Sequence, residues 1–302
     1  MNWRVLLHPG EPLLPHDLWR AWNTESSLLI PLAVTVILYV WGIRNVWQRA
    51  GSGHGISTRG WMSFLGGILA LVVALVSPLD ALAGVLFSAH MIQHLILVLI
   101  AAPLLVLSEF PVAVLWALPR RSAQSLGQSS NRSRALSRAW RAISSPVSAW
   151  LLFAMAMWFW HAPTFYEAAL QDETLHHLEH FAFLLTAMLF WWVLLKHTTQ
   201  KHVHYGMAIP YLFTTVLHSG ILGALMTFTS QPWYPYYTSL VTPWGLTPLQ
   251  DQQLAGLIMW VPGGTVFTLL TIAYFAAWLR ALEQRSVRVP SRDSLGTRQE
   301  LK

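Results

Sequence analysis

Two pairs of histidines, each with a spacing of four residues, lie in long apolar stretches of this sequence. The segment FSAHMIQHLILVLIAAP carries His90 and His94, and the segment TLHHLEHFAF carries His176 and His180. Residues four apart project from the same face of a helix, and such a pair is a common way for one helix to supply two metal ligands. Ionisable side chains inside apolar helices are costly and are functional candidates by default. The spacing therefore indicates a metal site.

Other side chains in the same segments could complete or support this site. A histidine that binds a metal usually donates its second ring nitrogen to a carboxylate or a carbonyl, so nearby acidic residues matter as well as further imidazoles. His177 is an alternative to His176 as the partner of His180. The further candidates, as ligands or as supporting residues, are His161, His218, Glu179, Asp80 and Asp251.

The available donor atoms indicate which metal such a site would take. The chain has no cysteine, so a thiolate site is excluded. Imidazole suits copper, zinc and iron, whereas thioether sulfur selects Cu(I). Met91, Met226 and Met259 could approach the histidines, and we expect no carboxylate at the centre of the site. Copper is therefore favoured over zinc or haem, and its affinity should fall on acidification toward the imidazole pKa of about 6.5.

The composition indicates a membrane protein. The 302 residues are 54% hydrophobic and 11% charged, whereas a soluble domain carries about 25% charged residues. A spanning helix needs about 20 mostly apolar residues. The candidate spans are residues 28–48, 61–79, 85–108, 146–162, 175–196, 206–229 and 253–281. The sequence thus predicts an all-α polytopic membrane bundle of about seven transmembrane helices, residues 28–282, with tails at 1–27 and 283–302.

The basic residues predict how this bundle lies in the membrane. With the N-terminus outside, every one of the 19 Lys and Arg residues except Arg4 and Arg20 falls on the inner side. The positive-inside rule therefore predicts N-out and C-in, with residues 283–302 as a disordered cytoplasmic tail. The net charge of +6 is then an orientation signal, and we expect no nucleic-acid partner. In this orientation the candidate histidines lie in the outer half of the bundle or close to its midplane.

Several alternatives to a metal site remain open at this point. Histidines within spans can simply pack and hydrogen-bond neighbouring helices. Two histidines on separate helices could instead hold a haem, or the imidazoles could form a proton pathway. A copper permease would need polar stations through the inner half of the bundle, where the sequence offers little beyond Ser63, Thr214 and Thr215. The sequence contains no catalytic triad, phosphate loop or acid–base pair, so we expect no enzymatic activity.

Six short motifs, taken together and in order, resemble the integral-membrane CtaG family of cytochrome c oxidase assembly factors. The resemblance runs from about residue 30 to residue 280. The motifs are SPLD (Ser77–Asp80), FSAHMIQHL (Phe87–Leu95), APLLVLSEFP (Ala102–Pro111), WFWHAPTFYEAAL (Trp158–Leu170), LHHLEHFAF (Leu175–Phe183) and DQQLAGLIMWVPGG (Asp251–Gly264). Each motif is short and apolar, and it is their combination that is specific.

The resemblance implies a multi-pass protein of the bacterial cytoplasmic membrane that helps to build haem–copper oxidase and delivers copper to its catalytic site. Its implied partners are the oxidase subunit that carries the copper site, the lipid bilayer and a periplasmic copper donor. The resemblance assigns function to His161 and to the stretch from Asp251 to Trp260, as well as to the two histidine pairs. Our hypothesis is a core site of His90, His94, His176 and His180, completed by His161 or His218.

Overall fold

The computed structural model describes residues 13–118, 134–199 and 205–288, and these are helical or irregular with no β-strand among them. The helices, in chain order, are α1 (Ser26–Ala50), α2 (Thr58–Leu75), α3 (Pro78–Ala83), α4 (Phe87–Leu107), α5 (Phe110–Ala117), α6 (Arg134–Ile143), α7 (Pro146–His161), α8 (Pro163–Gln171), α9 (Glu173–Thr199), α10 (Tyr205–Phe228) and α11 (Pro248–Arg288). The predicted all-α bundle is confirmed.

Within the described ranges, six helices are long and apolar enough to cross a membrane: α1, α2, α4, α9, α10 and α11. A seventh span exists if α6 and α7, which meet at an angle of 62°, are counted together. The 16 residues of α7 reach about 24 Å, which is short of the hydrocarbon thickness of about 30 Å. The fourth predicted span is therefore the weakest, as its short apolar run indicates.

The ends of the predicted spans and tails differ from the helices in two places. The second span ends at Leu75, because Pro78 begins the separate short helix α3. The last span is longer than predicted: α11 continues to Arg288, so the predicted tail from residue 283 starts inside a helix. Residues 1–12 of the N-terminal tail and 289–302 of the C-terminal tail lie outside the described residues.

Helix α4, which carries His90 and His94, changes its winding in mid-course. It is α-helical to Leu95, π-helical over Ile96–Ala101 and α-helical again from Ala102. Pro103 stands just after the π-helical segment; a proline has no N–H to donate, and its ring clashes with the carbonyl one turn earlier. The wider π-helical winding accommodates this defect. Such segments occur most often at functional sites.

The N-terminus of α4 is held by a carboxylate from another helix. Asp251, in the first turn of α11, accepts hydrogen bonds from the backbone N–H of Phe87 at 2.7 Å and of Ser88 at 3.1 Å, and from the Ser88 hydroxyl. The first N–H groups of a helix have no partner within the helix, and a negative charge there is favourable. Asp251 therefore fixes where α4 starts, one turn before His90.

Helix α4 also lies between two hydrophobic clusters that hold it from both sides. Met91 and Val98 belong to a cluster with α7, α9, α10 and α11, whereas Leu97 belongs to a cluster with α1, α2 and α5. In the second cluster the rings of Tyr39 and Phe64 stack with centroids 3.7 Å apart. The helix is thus packed along both faces, which leaves little freedom for it to rotate.

Helices α10 and α11 approach each other through glycines. A Cβ atom on Gly256 would lie 2.7 Å from the carbonyl oxygen of Gly223 and 2.8 Å from the backbone nitrogen of Thr227. Small residues allow this kind of close backbone approach between membrane helices. The contact holds α11 in place, and with it the Asp251 cap on α4.

Replacing Asp251 with Ala should lower the free energy of unfolding by about 2 kcal/mol or more, because two buried N–H groups lose their acceptor at about 1–3 kcal/mol each. Asp251→Asn keeps one acceptor oxygen and should lose less. The measurement is denaturant unfolding of detergent-purified protein, followed by circular dichroism. Asp172→Ala is the control, since this carboxylate accepts a bond from Leu175 in an exposed position. An Asp251→Ala protein as stable as the control would contradict the capping role.

Gly256→Ala should destabilise the protein by about 1–3 kcal/mol, the usual cost of inserting a methyl group into a packed contact. Gly206→Ala is the matched control, because a Cβ atom at Gly206 meets nothing within 4 Å. The control should be neutral or slightly stabilising, since alanine is the better helix former. Thermal unfolding of both variants checks this, and equal melting temperatures would show that the α10–α11 contact can yield without cost.

Candidate metal centre

Helices α4 and α9 bring five donor residues together near the start of both helices. One ligand atom each from His90, His94 and Glu179 lies within 4.8 Å of the others, and the same is true of His90, His176 and His180. His90 belongs to both groups, so the five residues form one continuous set. We call it the donor cluster. The structure thus brings the two predicted histidine pairs together, and their role as ligands stays a prediction.

Local helix geometry explains the convergence. On α9, His176, Glu179 and His180 stand at positions i, i+3 and i+4, which share one face of a helix. His90 and His94 share a face of α4 in the same way. The rings of His90 and His180 lie with centroids 5.4 Å apart, and those of His94 and His180 5.3 Å apart. The two faces therefore meet across the contact between α4 and α9.

The innermost part of the donor cluster has the dimensions of a metal site. The Nε2 atoms of His90 and His94 are 2.8 Å apart, and each lies 3.6 Å from Oε1 of Glu179. A tetrahedral ion with bonds of 2.0–2.1 Å holds its ligand atoms about 3.3 Å apart. The distance between the two nitrogens is shorter than that value, and the two nitrogen–oxygen distances are longer. Shifts of a few tenths of an ångström would place all three atoms around one ion.

The carboxylate of Glu179 has no hydrogen-bond partner, although the residue is completely buried. An isolated buried carboxylate carries a large desolvation cost. A protonated His90 or His94 would offset part of this cost as an ion pair, although 3.6 Å is too long for a hydrogen bond. A cation bound between the three side chains would offset it directly. The residues present therefore fit a metal ion.

The position of Glu179 corrects one sequence-based expectation. The sequence predicts no carboxylate at the centre of the site and offers Glu179 as a supporting residue or a possible ligand. In the structure it is one of the three central donors, because the position one residue before His180 still falls on the face that α9 turns toward α4. Its spacing of three from His176 was the signal that would have found it.

His161 lies beside the donor cluster. Its Nδ1–H donates to the carbonyl of Met157 at 2.7 Å, which leaves Nε2 as a buried lone pair with no hydrogen-bond partner. Its ring centroid is 6.1 Å from that of His94. Both rings line a small cavity of about 50 Å³ together with Met91 and Met259. His161 and these thioethers are therefore close to the cluster, although His161 belongs to neither group of three.

Two of the predicted residues belong to neither group of three. His218 packs edge-on against Trp150 with ring centroids 5.3 Å apart, and α10 packs mainly on α11 and α7. Met226 is fully buried in the hydrophobic core. His218 is absent from the groups of possible ligands formed by the described residues, and the roles of His218 and Met226 as ligands stay predictions.

The other predicted carboxylates support the helices rather than the cluster. Both oxygens of Asp251 are used by the start of α4, as described above. Asp80 accepts from Nδ2 of Asn23 at 2.8 Å and from Nε2 of Gln93 at 2.9 Å. Since Gln93 precedes His94 on α4, the second contact fixes the rotation of that helix. These two residues are positioning residues.

Three tyrosines that the sequence did not single out enclose the side of the cluster. The ring of Tyr166 meets that of His90 edge-on with centroids 5.2 Å apart. Tyr166 donates to the hydroxyl of Tyr237 at 2.8 Å, which donates to the carbonyl of Ala83 at 3.2 Å, and Tyr234 donates to the carbonyl of His161. Burial raises the pKa of Tyr166 and Tyr237 well above the usual value for tyrosine. They remain neutral hydrogen-bond donors.

A larger cavity, of about 580 Å³, lies between α1, α2 and α9 on the other side of the cluster. Its lining includes the buried His180 and the exposed Glu173. Glu25, just before α1, lines it too, with Oε2 3.5 Å from Nε2 of His177. Burial and the neighbouring carboxyl of Glu173 raise the pKa of Glu25 from 4.5 to about 7. The cavity thus joins the cluster to titratable groups at the protein surface.

The pKa of Glu25 makes stability depend on pH. Between pH 4.5 and about 7 the unfolded chain loses the Glu25 proton while the folded protein keeps it, so the folded state loses stability as the pH rises. With EDTA present, Glu25→Gln should therefore melt at a higher temperature than wild type at pH 8, and the difference should shrink as the pH falls toward 5. Asp172→Asn, at an exposed carboxylate, is the control. A constant difference across this range would contradict the raised pKa.

Comparison with known proteins identifies a family for this chain. The family model described as cytochrome c oxidase caa3 assembly factor (Caa3_CtaG) matches residues 37–281. Uncharacterized protein ML1998 of Mycobacterium leprae is 27% identical over 295 residues, which cover 95% of this chain and 44% of that protein. Uncharacterized protein Mb0105 of Mycobacterium bovis is 26% identical over 298 residues, which cover 96% of this chain and 44% of that protein. No solved structure matches the chain.

This chain spans less than half the length of those curated relatives. The family match, in contrast, covers most of the chain and includes the two helices that carry the donor cluster. The chain therefore belongs to the family of cytochrome c oxidase caa3 assembly factors.

Proposed function

We propose that this protein holds a copper ion in the donor cluster and passes it to the copper-carrying subunit of cytochrome c oxidase during assembly. The observation that carries the proposal is the buried carboxylate of Glu179, which faces two imidazole nitrogens and has no hydrogen-bond partner. The family match supports a role in oxidase assembly. The ion is cargo in this proposal and takes part in no reaction on the protein.

Imidazole and carboxylate donors suit copper, zinc and iron, so the donor set alone does not select one metal. At a given site of nitrogen and oxygen donors, divalent copper binds more tightly than divalent zinc. The role of the family then favours copper, because the resemblance implies delivery to a haem–copper oxidase. The thioethers of Met91 and Met259 near His94 and His161 would in addition tolerate Cu(I).

The side of the cluster away from the larger cavity is closed by apolar packing. The ring of Phe183 lies against that of His94 with centroids 4.4 Å apart, and the buried Phe190 follows two turns further along α9. The buried hydroxyls of Thr215 and Ser219 on α10 donate to carbonyls of their own helix. These two hydroxyls are thus engaged within their own helix, which supports a carrier rather than a permease.

The contact between His90 and His94 favours a bare ion over haem. Two axial histidines lie on opposite faces of a porphyrin, with the iron between their nitrogens. The Nε2 atoms of His90 and His94 are instead in hydrogen-bond contact. Across the two helices, the rings of His90 and His94 lie only 5.4 and 5.3 Å from that of His180, centroid to centroid, so no macrocycle fits between these rings. His176 and His180, which line the larger cavity, offer intermediate ligands during release. We propose that release takes place in the bacterial cytoplasmic membrane, after loading from a periplasmic copper donor.

Replacing both His90 and His94 with Ala should lower the affinity for Cu²⁺ by about 100-fold or more, given that loss of even a supporting residue costs 10–100-fold. Glu179→Gln, which keeps the shape of the side chain, should also weaken binding. The measurement is the copper content of detergent-purified protein after equilibration with a copper buffer. His218→Ala is the matched control, because it removes a partly buried histidine outside the cluster.

The same variants test the role in assembly. Membranes from cells that carry the His90 and His94 replacements should contain oxidase that lacks copper, while the His218→Ala strain should be normal. Circular dichroism and gel filtration confirm that each variant is folded. Unchanged copper content in the double variant would defeat the metal assignment. Normal oxidase alongside lost copper binding would defeat the delivery step.

A further inference from the structure

We infer that Glu25, Glu173 and His177 form a second binding site for a divalent transition-metal ion, at the mouth of the larger cavity, which takes up the ion before it reaches the donor cluster. The inference rests on the proposed function, since it supplies the route by which the cluster is filled. We call these three residues the mouth site.

The geometry of the mouth site is that of a ligand set. One ligand atom from each of its three residues lies within 4.8 Å of the others. Glu173 and His177 are separated by four residues on α9 and share a face. Glu25 reaches them from the start of α1, with its Oε2 3.5 Å from Nε2 of His177. Two carboxylates and an imidazole offer both the charge and the donors that a divalent ion needs.

The charge around the mouth site favours a cation. The residues described as lining the cavity include Asp80 as well as Glu25 and Glu173, and none of them is Lys or Arg. A ligand oxygen of Glu25 lies within 4.8 Å of one of Glu173, so two carboxylates that repel each other when ionised are held close together. A cleft lined by charges of one sign raises the local concentration of the opposite ion. A bound cation would relieve the repulsion between the two carboxylates.

A second observation inside the cavity points to the same ligand. His180 is only 6% exposed, lines the cavity, and carries an Nε2 atom with no hydrogen-bond partner. His176, beside the mouth site, also lines the cavity. The ring centroid of His176 is 6.5 Å from that of His177 and 4.4 Å from that of His180. Imidazoles thus continue in short steps from the mouth site to the donor cluster.

The mouth site and the donor cluster differ in exposure, and therefore in how strongly they should bind a metal ion. The side chain of His177 is 35% exposed, and Glu173 is exposed, whereas His90 and Glu179 are completely buried. Exposed ligands leave water in the coordination shell of an ion, and this water can readily replace a protein ligand, so the ion is exchanged rapidly. The mouth site should therefore bind more weakly and more rapidly, and the donor cluster more tightly and more slowly. The main effect of the mouth site is on the rate at which the donor cluster fills.

The test compares adjacent carboxylates in the full-length, detergent-purified and metal-free protein. Glu173→Gln removes a ligand of the mouth site, whereas Asp172→Asn removes the same charge one residue earlier and keeps a side chain that can still cap α9. Cu²⁺ alone is the probe. Electron paramagnetic resonance counts the bound ions and distinguishes their environments, and rapid freezing after mixing follows their arrival.

We expect two bound Cu²⁺ ions in wild type and in Asp172→Asn, and one in Glu173→Gln. In Glu173→Gln the remaining signal, from the donor cluster, should appear at least ten times more slowly than the same signal does in wild type. Glu25→Gln should behave like Glu173→Gln. The variant with His90 and His94 replaced by Ala should keep the rapidly appearing signal of Cu²⁺ at the mouth site.

Two results separate the fate of this inference from that of the proposed function. One ion in wild type, bound at an unchanged rate in Glu173→Gln and lost when His90 and His94 are replaced, would overturn the mouth site and leave copper binding by the cluster intact. No change on replacing His90 and His94, with copper lost in Glu173→Gln, would overturn the proposed function and leave the mouth site as an isolated surface site.

Discussion

A carboxylate without a hydrogen-bond partner, in the low-dielectric interior of a membrane bundle, is the constraint on which the rest of the structure depends. An ionised Glu179 needs positive charge beside it, and a metal ion held between its carboxylate and the two imidazole nitrogens 3.6 Å away would supply that charge. Other parts of the fold keep this arrangement rigid. Asp251 fixes the start of α4, Asp80 and Gln93 fix its rotation, and hydrophobic clusters pack on both of its faces.

The surroundings of the donor cluster differ sharply from one side to the other. On one side a cavity of about 580 Å³ reaches exposed acidic residues; on the other, Phe183 and the apolar core close the bundle. From the opening of the cavity toward the apolar core, polarity and exposure fall while the expected strength of metal binding rises. An ion bound as proposed would enter and leave by this cavity, and its delivery would require a partner that reaches the opening or displaces the ligands that line it.

Much of this could be predicted from the sequence, because long apolar runs and i, i+4 histidine pairs are local signals. The helices and the meeting of the two pairs followed from them. The place of Glu179 did not, since it depends on how α9 is rotated against α4. The packing of His218 against Trp150 depends on which helices α10 contacts, and the use of Asp251 as a cap depends on a contact between residues 163 positions apart. All three depend on tertiary packing, which cannot be predicted from any single segment of the sequence.

The π-helical segment Ile96–Ala101 has a consequence for how this family can vary in length. A π-helical turn accommodates one residue more than an α-helical turn over the same contacts. If all six residues of this segment wound as a regular α-helix, the first two turns of α4 would rotate by about 100° relative to the rest. His90 and His94 would then face away from α9, although no residue of the cluster had been altered. Deleting one residue while the segment becomes a regular α-helix should instead leave both histidines facing α9, because the extra residue and the wider winding compensate each other.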